Sequence, residues 1–398
     1  MRNKTYRILA KDVKMSNDTW KTGLNNNDMI IGTSGTGKTR GYVIPNILNC
    51  DNESIIVADT KGSLYNMLAK SMKKKGYKII NIDFTDCLQS DGYNPLSFIR
   101  YDKETDKFNE QDILTVSQCL VPIESERDPF WDIAARQYLA AIIAYVLDCL
   151  PFHEHTLCFV QKLLCEMSSG RFDILMKEMS EMYPNSFAVT QYNLFKNNQK
   201  AEKMHASIIG VLGEKLVSMS FDGARQMFNN PKQIDFQDLR KEKTIVFLNI
   251  SDTDRSLDTL VSLFYTQALH ILCAKEPPAK SKEPFYPIWF ILDDFAANMK
   301  IADFDKIISI VRSREIYISV ILQSITQLES LYGLSKAKTI INNFDNMLYI
   351  GGNDVDTSKY IGFKANKSAT SVLSLPIDEA WLFTRGTQPR LVEKYQLE

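Results

Sequence analysis

The residues Gly32-Thr33-Ser34-Gly35-Thr36-Gly37-Lys38-Thr39 fit the spacing G-x-x-x-x-G-K-[ST]. Chemistry explains each residue type. Glycines let the backbone curl until successive N–H groups face inward, which makes a cradle for phosphate oxygens. A helix starting at the end of the loop adds partial positive charge. Lys38 is then placed for β- and γ-phosphates, and the Thr39 hydroxyl for a Mg²⁺ ion bound with ATP. The bland alternative is a chance match in a Gly/Thr-rich turn. The short apolar strand Met29-Ile30-Ile31 just before the loop argues against it.

A metal site of this kind needs a second oxygen ligand. Ile288-Trp289-Phe290-Ile291-Leu292 is an apolar run that ends in Asp293-Asp294. Asp293 suits the Mg²⁺ ligand and Asp294 the group that polarises a lytic water. Read alone, the pair could instead cap a helix. Gln323 follows the run Ile316 to Leu322, where its amide is able to bond a γ-phosphate and the attacking water; the competing reading is a buried structural amide. Arg312 and Arg314 lie in Val311-Arg312-Ser313-Arg314-Glu315. One of them could serve a phosphate across a subunit boundary, although exposed arginines near helix ends are common.

These side chains need a scaffold. Ser54 to Ala58, Lys78 to Ile82, Thr244 to Leu248 and Met347 to Ile350 complete the strand signals, with helical patterns between them. Strand–helix alternation implies a mainly parallel α/β sheet with crossover helices. From about residue 106 to 240 only helical patterns occur. There Asp128-Pro129 reads as an N-cap and first helical residue for Phe130, Trp131, Ala134, Tyr138, Ala141, Ile142 and Tyr145. Another helix is expected from about Ser256 to Lys275, ended by Pro277-Pro278. The expected organisation is a polar, irregular segment 1–28, a nucleotide-binding domain in two parts (29–105 and 241–398), and an all-α insert at 106–240. The stretch that holds the insert is acidic, with 14 basic and 20 acidic residues over 101–240, against 15 and 9 in the first hundred residues.

Composition narrows the alternatives. With 398 residues, 44% hydrophobic and 24% charged, the chain has the makeup of a globular protein rather than a disordered or collagen-like one. A net charge of −1 gives no global attraction for nucleic acid, though a local basic channel remains compatible. Seven scattered cysteines without a C-x-x-C suggest reduced thiols and a cytoplasmic setting. The cluster Cys149, His153, His155 and Cys158 has no common zinc spacing. Lys73-Lys74-Lys75 and Lys78 read first as a solvated helix end, and Phe130, Trp131 and Tyr138 as core. The longest apolar run, Tyr138 to Leu147, is shorter than the ~20 residues a membrane span requires.

Taken in order, the motifs resemble the type IV secretion system coupling proteins, the conjugative DNA-transfer ATPases related to VirD4, TraG and TrwB. The likeness runs from about residue 29 to 375. It includes Val43-Ile44-Pro45-Asn46-Ile47-Leu48 after the loop, Asp59-Thr60-Lys61-Gly62, Gly76-Tyr77-Lys78 and Tyr93-Asn94-Pro95-Leu96. Further along come Asp128-Pro129-Phe130-Trp131, Leu292-Asp293-Asp294-Phe295-Ala296, Arg312-Ser313-Arg314, Gln323-Ser324 and Gly351-Gly352-Asn353-Asp354-Val355-Asp356-Thr357.

The resemblance implies a RecA-like P-loop NTPase fold with an inserted all-α domain. It also implies a homohexameric ring with ATP and Mg²⁺ at subunit interfaces, and coupling of hydrolysis to DNA transfer in conjugation. Expected partners are DNA bound without sequence preference, relaxase and relaxosome proteins, and components of the secretion channel. Lys38, Thr39, Asp293, Gln323 and Arg312 take the phosphate, metal, metal, sensor and trans-arginine roles.

The chain departs from the family pattern at Asp294, where Glu is usual, and at Thr60 and Ser63, where Asp-Pro-Lys-Gly-Glu is usual. Most members also carry N-terminal membrane helices. The expectation here is a motor at the cytoplasmic face of a bacterial membrane, attached through a partner or a segment outside this sequence. Asp294 and the lack of a membrane anchor motivate an alternative function: a nucleotide-binding docking platform for secretion substrates with little or no motor activity.

Overall fold

The computed structural model describes residues 5–123, 127, 129–166, 170–197, 202–274, 276–277, 284–295 and 300–397. The chain packs as two units. One comprises Met1–Thr85, Asp235–Arg255 and Ala268–Glu398; the other comprises Asp86–Ile234 and Ser256–Gln267. These limits differ from the expected boundaries at 105 and 240. Residues after 85 pack with the helical unit, through bonds such as Gly92 N–H to Lys232 O and Ile234 N–H to Gly92 O, both 2.9 Å.

The strands in chain order are β1 Tyr6–Ala10, β2 Val13–Ser16, β3 Asp28–Ile31, β4 Ser54–Asp59, β5 Lys78–Asp83, β6 Tyr101–Asp102, β7 Lys107–Phe108, β8 Thr244–Asn249, β9 Ile288–Leu292, β10 Ile316–Leu322, β11 Asn346–Tyr349, β12 Glu379–Thr384 and β13 Arg390–Glu393. Nine of them form one sheet in the order β13-β12-β11-β3-β10-β9-β4-β8-β5. From β11 to β5 every neighbouring pair is parallel. Strands buried on both faces read as unbroken apolar runs rather than alternating ones. Accordingly every residue of β3, β4, β8, β9, β10 and β11 is buried.

The order has a direct consequence. β9, β10 and β3 are adjacent, so the residues just past their carboxyl ends come together although they are far apart in sequence. Ligands of open α/β sheets bind at such carboxyl ends. The other edge is closed by β12 and β13, which run antiparallel to their neighbours.

Within the segment 1–28, expected to be irregular, residues 6–16 are regular. β1 and β2 form an antiparallel hairpin turned at Asp12, whose φ is +60°. Residues Ile8, Leu9 and Ala10 are buried, and so is Arg7, at 0% exposure. Arg7 donates from Nε to Asp28 Oδ2 (2.6 Å) and from Nη2 to Asp28 Oδ1 (3.1 Å). Its Nη1 donates to Asn17 Oδ1 at 2.8 Å. Asn46, in the helix after the phosphate loop, exchanges two bonds with the Ile8 backbone, both 2.8 Å. The polar composition that suggests a loop thus conceals a hairpin held by a buried ion pair.

Among the described residues, the regular structure of the second unit is helical apart from the two-residue strands β6 and β7. Its central helix, Phe130–Cys149, buries Tyr138, whose ring stacks on Phe195 at 4.1 Å and meets Phe172 edge-on. Asp128, the expected cap, lies outside the described residues. The helix is twenty residues long, so it extends beyond the apolar run Tyr138–Leu147 at both ends. By length and hydropathy it matches a membrane span, but 67% of that stretch is buried inside the structure, as in a core helix. The helix expected over 256–275 spans Asp258–Cys273, and Lys275 and Pro278 are outside the described residues.

Removing one partner of a buried ion pair leaves an uncompensated charge, which costs about 3–5 kcal/mol. Arg7→Met is therefore expected to lower unfolding free energy by about that amount in urea titrations. Lys11→Met, which breaks only the solvent-exposed pair with Glu393, should leave the midpoint near wild type.

Candidate functional site

The loop between β3 and the next helix owes its shape to three glycines. Gly35 and Gly37 have φ of +82° and +91°, which side chains rarely adopt. Gly32 is constrained by space instead, since a Cβ there would sit 2.4 Å from Ile350 Cγ1 and 2.7 Å from Thr36 Oγ1. The helix that follows opens as a wider π turn over Thr39–Val43 before continuing as Ile44–Asn49. Pro45 explains this, because its ring has no N–H and collides with a carbonyl four residues back in a regular helix.

Lys38 is 8% exposed. Its Nζ donates to Gly32 O at 2.7 Å and Thr33 O at 3.0 Å, bridging the loop. Burial pulls its pKa down, and the carboxylates of Asp294 and Asp293 oppose that. Thr39 Oγ1 donates to Asp293 Oδ2 at 2.8 Å. Thr33 N–H donates to Gly351 O at 3.0 Å. Ser34 and Thr36 stand along the rim of the loop, Ser34 exposed and Thr36 bonded from Oγ1 to Thr33 O at 2.7 Å.

Asp293 follows β9 directly and is 5% exposed. Burial raises its pKa to about 6, against the Thr39 hydrogen bond that favours the ionised form. Asp294 adopts the left-handed region at φ +49°, and its N–H bonds Asp293 Oδ1 at 3.1 Å. Gln323, just past β10, approaches with Nε2 at 3.5 Å from Asp294 Oδ1. Lys38, Thr39, Asp293, Asp294 and Gln323 therefore form one connected group at three adjacent strand ends. A hydroxyl and a carboxylate at hydrogen-bond distance are hard oxygen donors, the set that suits Mg²⁺.

Arg312 is not in that group. It is exposed on the turn Val311–Arg314, and its Nη2 is 3.4 Å from Thr19 O. Arg314 is engaged within the chain, through Nε to Cys273 O at 2.9 Å and an ion pair with Glu276. Asp59, in the Asp-Thr-Lys-Gly segment, caps a helix: its carboxylate accepts from the N–H groups of Ser63, Leu64 and Tyr65. Ala296 lies outside the described residues.

Two features had no role assigned from the sequence, although the first of them is among the matching motifs. The Gly351–Thr357 segment supports the site: Gly351 braces Thr33, Asp354 caps helix Val355–Ala365, and Thr357 Oγ1 accepts Ile325 N–H just after Gln323. A repeated Gly-Gly past an apolar strand was the available clue. The second feature is a cavity of about 340 Å³ beside the loop, lined partly by residues 394–397.

The family described as Type IV secretory system Conjugative DNA transfer matches residues 2–370. Protein VirD4 of Rhizobium radiobacter is 23% identical over 363 residues, covering 90% of this chain and 51% of VirD4. The chain spans about half the length of the curated relatives it matches. Among solved structures, the bacterial conjugative coupling protein TrwBΔN70 superimposes with a TM-score of 0.72 at 16% identity, over all of this chain and 90% of that one. Plasmid coupling protein TrwB in complex with ADP and Mg²⁺ gives 0.70 at 16% identity, over 100% and 91%. At such identity the likeness fixes the fold: a RecA-like P-loop domain with a helical insert, as the resemblance implied.

The raised Asp293 pKa has a testable sign. An unfolded Asp titrates near 3.8. Between about pH 4 and pH 6 the folded chain keeps a proton that the unfolded chain has released, so stability falls as pH rises through that window. Two pKa units correspond to about 3 kcal/mol. Asp293→Asn in protein free of divalent metal is expected to flatten this slope, as read by urea titration across the window. A variant that retains the full slope would contradict the assignment.

Proposed function

The chain belongs to the type IV secretory system conjugative DNA transfer family, and on that premise we propose that it is an ATP-hydrolysing coupling protein. In this reading it links a relaxase–DNA complex to a type IV secretion channel and drives DNA transfer. The observation that carries the reading is the 2.8 Å bond from Thr39 Oγ1 to Asp293 Oδ2. It joins a phosphate-loop hydroxyl to a strand-end carboxylate 254 residues away, as a nucleotide–metal site requires.

Each residue takes a role in this scheme. Loop N–H groups from Gly32 to Thr39 cradle phosphate oxygens, and Lys38 neutralises the β- and γ-phosphates. Thr39 and Asp293 hold Mg²⁺, which when bound spreads and neutralises charge on the transferred phosphoryl group. Asp294 orients the attacking water and takes its proton, while Gln323 fixes the Asp294 carboxylate and the water. Phosphoryl transfer in such a site is positioning plus electrostatics, so rigidity at three strand ends serves the reaction directly.

Arg312, exposed on its turn, is the arginine that would complete a neighbouring subunit's site in a homohexamer. DNA is bound without sequence preference, through phosphate contacts that weaken with salt. The working place is the cytoplasmic face of a bacterial membrane, reached through a partner or a segment outside this sequence.

Steady-state ATP hydrolysis with and without single- and double-stranded DNA, at fixed low salt, tests the reading. DNA-stimulated turnover that Lys38→Ala abolishes is the expected result; near wild-type turnover in that variant would count against it. Asp294→Glu separates motor from platform. If Asp294 is the working base, moving the carboxylate by about 1 Å costs on the order of 10²-fold in kcat. If the chain is a docking platform for secretion substrates, ATP binds, turnover is minimal under every DNA condition, and Asp294→Glu raises it.

A further inference from the structure

Lys61 stands two residues past the carboxyl end of β4, the strand next to β9 in the sheet. Val57 pairs with Ile291 in that parallel ladder, so Asp59 and Asp293, each two residues further on, lie at the same level. Lys61 therefore leaves the sheet beside Asp293 and Asp294. The side-chain charges that act on the Lys38 ammonium are those of Asp294, Asp293 and Lys61, which places the two lysines within electrostatic reach of each other.

The backbone beneath Lys61 is held firmly. Asp59 is buried, and its carboxylate accepts from the N–H groups of Ser63 (3.1 Å), Leu64 (2.6 Å) and Tyr65 (3.1 Å), and from that of Lys61 itself. Thr60 is buried too, and Gly62 turns the chain at φ +63° into the helix Ser63–Lys74. The Lys61 side chain is exposed, and among the described residues no hydrogen bond or ion pair holds its ammonium.

Stability does not explain a lysine at this place. A helix N-terminus carries partial positive charge, so a cation just ahead of it is disfavoured. Lys38 repels it as well. Asp59 offsets part of this, but its oxygens are engaged by backbone N–H groups. An anion placed between the two ammonium groups turns repulsion into attraction for both. The terminal phosphate of a nucleoside triphosphate is such an anion.

We propose that Lys61 is a further catalytic residue of the phosphate site, and that its ammonium binds oxygens of the γ-phosphate. This rests on the ATPase reading and deepens it by adding a second lysine from the same chain. In the step itself, the water oxygen bonds to the γ-phosphorus while the bond from that phosphorus to the bridging oxygen breaks. The electron pair of the broken bond stays on the ADP oxygen, and Asp294 takes the water's proton. Lys61 keeps its own protons and offsets charge on the γ-phosphate oxygens. It makes no contact with ADP.

The test measures binding of ADP and of the imido analogue of ATP, each with Mg²⁺, by calorimetry on the unchanged chain, Lys61→Met and Lys61→Arg. kcat and DNA affinity are measured alongside at fixed low salt. Lys61→Met is expected to weaken the analogue about tenfold, the worth of one charged hydrogen bond. It should leave ADP binding and DNA affinity as they are and lower kcat on the order of 10²-fold. Lys61→Arg keeps the charge and should restore the analogue's affinity. The binding measurements report even where turnover is minimal. Equal weakening of both nucleotides by Lys61→Met would overturn the proposal, as would unchanged affinity for both. Loss of DNA affinity alone would make Lys61 a DNA contact and would overturn it too. Lys38→Ala tests the parent reading separately: it should weaken both nucleotides, and unchanged binding of both would count against the phosphate-loop assignment itself and so against this one.

Discussion

The buried carboxylate of Asp28 is the contact on which the site's scaffold depends. It accepts both hydrogen bonds of the Arg7 ion pair, one from the Tyr42 hydroxyl at 2.6 Å, and one from Asn346 Nδ2 at 3.0 Å. Those donors come from β1, the turn after the phosphate loop, and β11, while Asp28 itself opens β3. One anion therefore fastens the strand that leads into the loop and the helix that leaves it. Desolvating a carboxylate is expensive, and it is tolerated here because an arginine and two neutral donors meet it. The arrangement also explains why an N-terminal hairpin is needed: Arg7 is the cation, and Asn46 binds that hairpin to the same helix.

With the loop fixed at both ends, strand order does the remaining work. The nucleotide-side groups come from β3, β9 and β10, three neighbours in a parallel sheet. Parallel pairing places their carboxyl ends side by side, so Thr39 reaches Asp293, and Gln323 reaches Asp294, without any long connection of their own. The helical unit is inserted between β5 and β8, which lie at the opposite side of the sheet from β11.

How much of this was legible follows from the kind of signal each part carries. The phosphate loop and the Asp293 strand were readable because their chemistry demands particular residue types at fixed spacing. The central strands were readable because burial on both faces writes them as apolar runs. The hairpin of β1 and β2 was not, since its buried anchor is an arginine whose partner lies 21 positions away. β12 and β13 form an antiparallel edge whose outer strand is largely exposed, so it has no apolar run to notice. The wall at 394–397 was invisible for a different reason. It is placed by backbone contact with Gly41 and Asp378, and backbone contact leaves little trace in residue type.

The two arginines of the turn at 311–314 look equivalent in sequence and are separated by a third. Arg240 is largely buried, and burial lowers its pKa to about 10, so it stays cationic near neutral pH. Its guanidinium donates to Arg314 O (2.7 Å), Tyr286 O and Glu315 O (both 3.2 Å), and Leu272 O (3.4 Å). It thereby pins the end of the turn to the end of a helix and to the entry of β9. Arg314 adds a second tie to the same helix end through Cys273 O. Four carbonyls gathered on one cation make the base of the turn stiff, and Arg314 is consumed in that base. Arg312 projects from it, exposed, with Nη2 donating to Thr19 O at 3.4 Å. A trans arginine has to be held rigidly at its root and accessible at its tip, because any ordering cost at the moment of reaction is subtracted from the charge stabilisation it supplies. That division of labour favours Arg312 over Arg314 for the trans role proposed above.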